Sequence, residues 1–140
     1  MENRNLKSPI RTLSRTTDMS SLVFELLNAS TKTHLAHLAV TGPGSFASHK
    51  ALNDFYEGVK SLADDLAEQY QGVTESLLIA PTEASFPKMT KTSECISYLR
   101  DLRARVNSAQ SSCPYSEICN TLDEVKSLIN STCYKLIFLQ

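Results

Sequence analysis

Between Gly42-Pro43-Gly44 and Gly72 the chain runs from Ser45 to Gln71 without a proline and with a helical apolar repeat. The breaker ahead of it and the N-cap preference of serine predict one long helix opening at Ser45. Projected at about 100° per residue, Leu52, Phe55, Tyr56, Val59, Leu62, Ala63, Leu66 and Tyr70 form one apolar stripe, the core face of an amphipathic helix. His49, Asn53, Glu57, Lys60, Asp64 and Glu68 form a second, polar stripe centred roughly 130–140° away. That stripe points away from the core its own helix helps to build.

Imidazole and carboxylate groups on one face are candidate metal ligands, and nitrogen and oxygen donors together suit iron, manganese or zinc. His37, near the end of the preceding helical segment Thr31 to Val40, joins the set. Distance then restricts the geometry. His49 and Asp64 stand fifteen residues apart, or about 22 Å of helix at about 1.5 Å per residue, against metal–ligand bonds of about 2.0–2.2 Å. One helix cannot bring both to one ion. A second copy, packed antiparallel across a two-fold axis, can. In one register His49 then faces the other copy's Glu68, Asn53 its Asp64, and Glu57 its Lys60. Glutamate and lysine at these spacings are also ordinary on a solvated helix face; His49 is the less expected member.

His34 to His37, Val40 to Gly42, Phe46 to His49 and Asp64 to Glu68 together resemble the signature of the Dps miniferritins, bacterial ferritin-like proteins. The likeness covers Thr31 to Gly72. It implies a four-helix subunit and a ferroxidase centre at a two-fold interface, with His37 and His49 from one subunit and Asp64 and Glu68 from the other. It further implies Fe(II) oxidation by peroxide or dioxygen, storage of Fe(III) oxide in a twelve-subunit shell, and a bacterial cytoplasm as the setting. Two positions depart from the family. Asn53 stands where an aspartate is usual, offering a carbonyl oxygen but no charge, and Leu38 stands where a tryptophan is usual. The chain is also similar to short ferritin-like proteins carried by bacteriophages, which makes a virus-encoded protein the alternative source.

Composition narrows the alternatives. At 140 residues the expectation is one domain with a full hydrophobic core. A net charge of −1 gives the whole molecule no general attraction to nucleic acid. No apolar run reaches the ~18 residues that span a membrane, and the first residues lack the apolar core of a signal peptide. Cys95, Cys113, Cys119 and Cys133 form no C-x-x-C pair; Cys95, Cys119 and Cys133 lie in helical patterns and read as small buried or half-buried residues, and a reducing compartment is the natural setting. Phosphate-loop, dinucleotide-binding and nucleophile-elbow motifs are absent.

Residues 1–17, with Arg4, Lys7, Arg11 and Arg15 against Glu2, read as a mobile basic arm ahead of a bundle domain at 18–140. Basic arms of some Dps proteins hold DNA, but four dispersed charges would give only weak, salt-sensitive binding. Asp18 is the expected N-cap of a first helix reaching about Val40, with Met19, Leu22, Val23, Leu26 and Leu27 inward. Gly72 is expected to end the second helix. Leu77-Leu78-Ile79 is apolar enough to pack, as a short helix. A third helix is expected over Lys91 to Ser108, with Ile96, Leu99, Leu102 and Val106 inward. A fourth is expected over Ser116 to Leu139, with Ile118, Leu122, Val125, Ile129, Leu136 and Ile137 inward. The fold class is therefore all-α, an antiparallel four-helix bundle of ferritin-like type. The chain has no histidine after His49 and no Glu-x-x-His, which disfavours a metal centre inside one subunit; His34 is expected to play a supporting role.

Two functional readings stand. In the first, the chain is an iron-oxidising homo-oligomer whose sites are shared across the second-helix dimer. In the second, it keeps the fold as a structural or interaction protein, and His49 and Glu68 are hydrogen-bonding partners only.

Overall fold

A computed structural model describes residues 18–140; the expected arm, 1–17, lies outside them. Four helices make up the described span: α1 (Met19–Ala39), α2 (Ser45–Thr74), α3 (Thr92–Ser111) and α4 (Ser116–Phe138), with no strand among the described residues. The all-α class and the helix count match the sequence expectation. None of these helices is long and apolar enough to cross a membrane.

The helices cohere because each buries residues at helical spacing. Leu22, Val23, Leu26 and Ala29 of α1, Leu52, Phe55, Val59 and Leu66 of α2, Leu99, Leu102 and Val106 of α3, and Ile118, Leu122, Val125 and Ile129 of α4 form one apolar cluster. Polar contacts index the packing. Ser30 Oγ donates to the Tyr56 carbonyl (2.8 Å) across α1 and α2. Thr121 Oγ1 donates to Gln69 Oε1 (2.8 Å), and Lys135 pairs with Asp54 (3.4 Å), across α2 and α4. Arg103 bonds Asn130, and Gln110 bonds Asp123, across α3 and α4. The α2–α3 connection brings the chain back to the start of α2, where Thr92 and Ser48 share a 2.7 Å hydroxyl bond.

Helix boundaries differ from expectation in physically clear ways. Gly44, not Ser45, occupies the α2 N-cap, with φ +78°. Its carbonyl accepts from the Ser48 amide. The left-handed backbone calls for glycine there; the nearest atom to an added Cβ, Gln140 Oε1 at 2.7 Å, is the far end of a flexible side chain. Gly72 does not end α2. A glycine permits a stop but does not impose one, and α2 continues to Thr74, followed by Glu75 at φ +52°. Side chains serve the end instead: Thr74 Oγ1 donates to the Tyr70 carbonyl, and Gln71 Oε1 accepts from the Leu78 amide.

The expected short helix at Leu77-Leu78-Ile79 is absent. Leu77 and Ile79 are 83% and 85% exposed, and only Leu78 packs against the core. Ile137 lies outward, 42% exposed, while Leu136 beside it takes the buried position. Ile96, Leu62 and Tyr70 pack at the edge of the core rather than within it.

One polar network was not legible in the sequence. Glu25 accepts from Lys32 Nζ at 3.0 and 3.2 Å, from the Tyr98 hydroxyl at 2.9 Å and from Arg105 at 3.2 Å. Burial, then the Glu25 charge, holds the Tyr98 phenol well above its ordinary value. Burial, then Glu94, pushes the Cys95 thiol up to about 11. Both groups keep their protons in the native state when the unfolded chain, with ordinary values of about 10 and 8.5, has begun to lose them. Their contribution is thus complete below about pH 8.5 and declines as pH rises toward the native values. The urea midpoint should fall between about pH 8.5 and 11, and Tyr98→Phe and Cys95→Ala should each make that fall shallower.

Candidate metal centre

The α1–α2 corner gathers four rings. His37, 7% exposed, is in the last turn of α1; His49, half-buried, is in the second turn of α2. Their rings stack with centroids 3.6 Å apart and planes 20° apart. His34 stacks on Tyr56 at 4.2 Å, and Tyr56 meets His37 edge to face at 5.3 Å.

The two central histidines exchange hydrogen bonds. His37 Nδ1 lies 2.7 Å from the His49 carbonyl oxygen, and His49 Nδ1 lies 3.0 Å from the His37 carbonyl oxygen. A carbonyl oxygen only accepts, so each Nδ1 carries the hydrogen and donates. In the neutral rings each Nε2 is then the unprotonated nitrogen, and no described residue donates to either. Fixing a ring by Nδ1–H donation to a carbonyl is the usual way of presenting Nε2 to a metal. Local structure explains the pairing. The His37 carbonyl lies in the final turn of α1, where carbonyls lack helical partners, and the short connection 40–44 brings His49 beside it.

The remaining expected ligands fall into two groups. Asn53 is half-buried near the histidines, and its Oδ1 accepts from the Tyr56 hydroxyl at 2.7 Å. Any metal role for that oxygen would use its second lone pair. Asp64 and Glu68 lie farther along α2; Asp64 is exposed and Glu68 lies at the exposed end of the same polar stripe. Because α2 is unbroken from Ser45 to Thr74, Asp64 stands about 22 Å from His49. Among the described residues no three His, Cys, Asp or Glu side chains come close enough to hold a metal ion. One chain therefore assembles the imidazoles and leaves the acids apart from them.

Helical periodicity places Tyr56 on the core stripe; the structure puts it at the stripe's edge, against His34, His37 and Asn53. Its three-residue spacing from Asn53 is the signal that could have found it. Leu38, beside His37, is 68% exposed, and Phe46, one turn ahead of His49, is 76% exposed. A hollow of about 420 Å³ lies on the same side of α2, between Leu27 of α1 and Glu57, Lys60, Ser61 and Asp64.

Fold and corner together define, over the described residues, an all-α arrangement of four helices with a paired-histidine junction between the first two. The chain belongs to the family described as "Family of unknown function (DUF5856)", whose model matches residues 37–136, from His37 to within α4. No curated protein matches the chain, and no solved structure matches it.

Proposed function

We propose that this chain is a ferritin-like iron-oxidising protein whose metal site is completed by a second copy. The observation that carries the reading is the reciprocal bonding of His37 and His49, which leaves two Nε2 lone pairs available at one corner of the fold. Contacts in which rising numbers on one helix meet falling numbers on the next, such as Ser30 with Tyr56 and His37 with His49, support an antiparallel bundle. Exposed Leu38 and Phe46 beside the histidines, and the hollow at Glu57 and Lys60, support a partner on this side. In the dimer, two α2 helices run antiparallel, and the partner copy's Asp64 and Glu68 complete each site.

Fe(II) is the substrate. Neutral imidazoles bind it, and the carboxylates favour the higher charge of Fe(III) as each iron gives up one electron to dioxygen or peroxide. Protons compete with the metal for imidazole nitrogen, so such binding weakens as the solution is made acidic. Aerobic Fe(II) oxidation by the full chain, run beside a measurement of solution mass, tests the proposal. Turnover above the buffer rate from a dimer or higher multiple is the expected result. A monomer in solution overturns the shared site.

A second reading rests on the same bonds. Two histidines that cap each other's carbonyls also form a clasp across the α1–α2 turn, as a structural or interaction protein needs. A stable oligomer with iron oxidation at the buffer rate would favour that reading.

A further inference from the structure

Cys113 and Cys119 lie six positions apart in the sequence, one in a turn and one in a helix. The fold brings them together. The Cys119 thiol lies 3.6 Å from the Cys113 carbonyl oxygen, and the Cys113 thiol lies 3.8 Å from the Tyr115 carbonyl oxygen. The Tyr115 carbonyl also accepts the Cys119 amide at 3.0 Å. Each cysteine thus reaches to backbone that belongs to, or directly holds, the other. Gln110 steadies the turn from the α3 side: its carbonyl accepts from the Cys113 amide at 3.2 Å, and its side-chain amide donates to the Cys119 carbonyl at 3.1 Å and to Asp123 at 2.9 Å. Both cysteines are half-buried and free. Burial, then the neighbouring Cys113, raises the Cys119 thiol above its ordinary value.

We propose that Cys113 and Cys119 form an intramolecular disulfide on exposure to hydrogen peroxide, joining the α3–α4 turn to the first turns of α4. One sulfur, as its thiolate, attacks the peroxide O–O bond, becomes a sulfenic acid and releases hydroxide. The second thiolate attacks the sulfenic sulfur, the S–S bond forms, and a second hydroxide leaves. The two thiol protons convert the two hydroxides to water; both sulfurs are oxidised and peroxide is reduced. The bonds given up are weak S–H donations, so little native structure opposes the step. Cys95 and Cys133 are buried on the inner faces of α3 and α4 and are spared. This inference is independent of the iron site.

The test is to treat the reduced full chain with stoichiometric hydrogen peroxide, alkylate the remaining thiols and map peptides by mass. The expected product has lost two hydrogens, retains two of its four thiols, contains one Cys113–Cys119 linked peptide and reverts with dithiothreitol. Its melting temperature should lie several degrees above that of the reduced chain. The double variant Cys95→Ser, Cys133→Ser should give the same linked peptide, and Cys113→Ser should not. Four alkylated thiols after treatment, a disulfide between chains, or sulfinic acids at both sites without a link would each overturn the proposal. Because the first measurement uses the unaltered chain, its outcome decides the matter even where a variant fails to fold.

Discussion

Fe(II) uptake is expected to fall to the buffer level when Asp64 and Glu68 are both replaced by alanine, with the four helices unchanged. Both side chains lie on the polar stripe of α2, and no described residue hydrogen-bonds or pairs with either. Surface substitutions of this kind stay within about 0.5 kcal/mol, so a loss of uptake cannot be attributed to unfolding. The size of the expected loss follows from the geometry. Two imidazole nitrogens alone make an incomplete site for iron, and the proposed partner copy adds the only anionic ligands. Iron uptake measured anaerobically, with far-ultraviolet circular dichroism on the same sample, reads both effects. Unchanged uptake would remove these acids from the ligand set and take the antiparallel α2 dimer down with it.

Phe55→Ala is expected to cost about 3–5 kcal/mol, the range for an aromatic removed from a packed core. Phe55 is fully buried and heads the largest enclosed side chains. It lies on α2, the helix that bonds to both α1 and α4, so the void it leaves borders several helices and cannot be closed by moving one. With total stabilities of about 5–15 kcal/mol, that loss is a large share of the whole. The melting temperature should drop on the order of 15 °C for a chain of this size. Urea unfolding at pH 7 gives the free energy, and a change below about 1 kcal/mol would mean that Phe55 is not enclosed by the core.

The inward faces of the helices were legible because burial and helical periodicity leave the same mark on a sequence. Leu52, Phe55, Val59 and Leu66 repeat at the helical interval and are buried. Boundaries were less legible. Gly72 carries the composition of a stop but has helical neighbours on both sides, and α2 runs through it. Leu77 and Ile79 read as packed because they are apolar, yet their cover depends on what lies opposite, and the described residues leave both exposed. At the corner, His37 and His49 were identifiable as donors by residue type. Their mutual bonding was not, because it depends on how the 40–44 connection sets α2 against α1.

Helical rise and periodicity are local properties of a chain. They suffice to give four helices, the apolar face of each, and the impossibility of one helix bringing His49 and Asp64 to a single ion. Packing supplied the rest: which nitrogen of each imidazole carries the hydrogen, that Tyr56 belongs to the histidine corner, that Glu25 gathers Lys32, Tyr98 and Arg105, and that Cys113 and Cys119 meet. Those are contacts between residues on different elements or across a turn, set by packing distances and backbone direction, and spacing along a sequence carries no record of them.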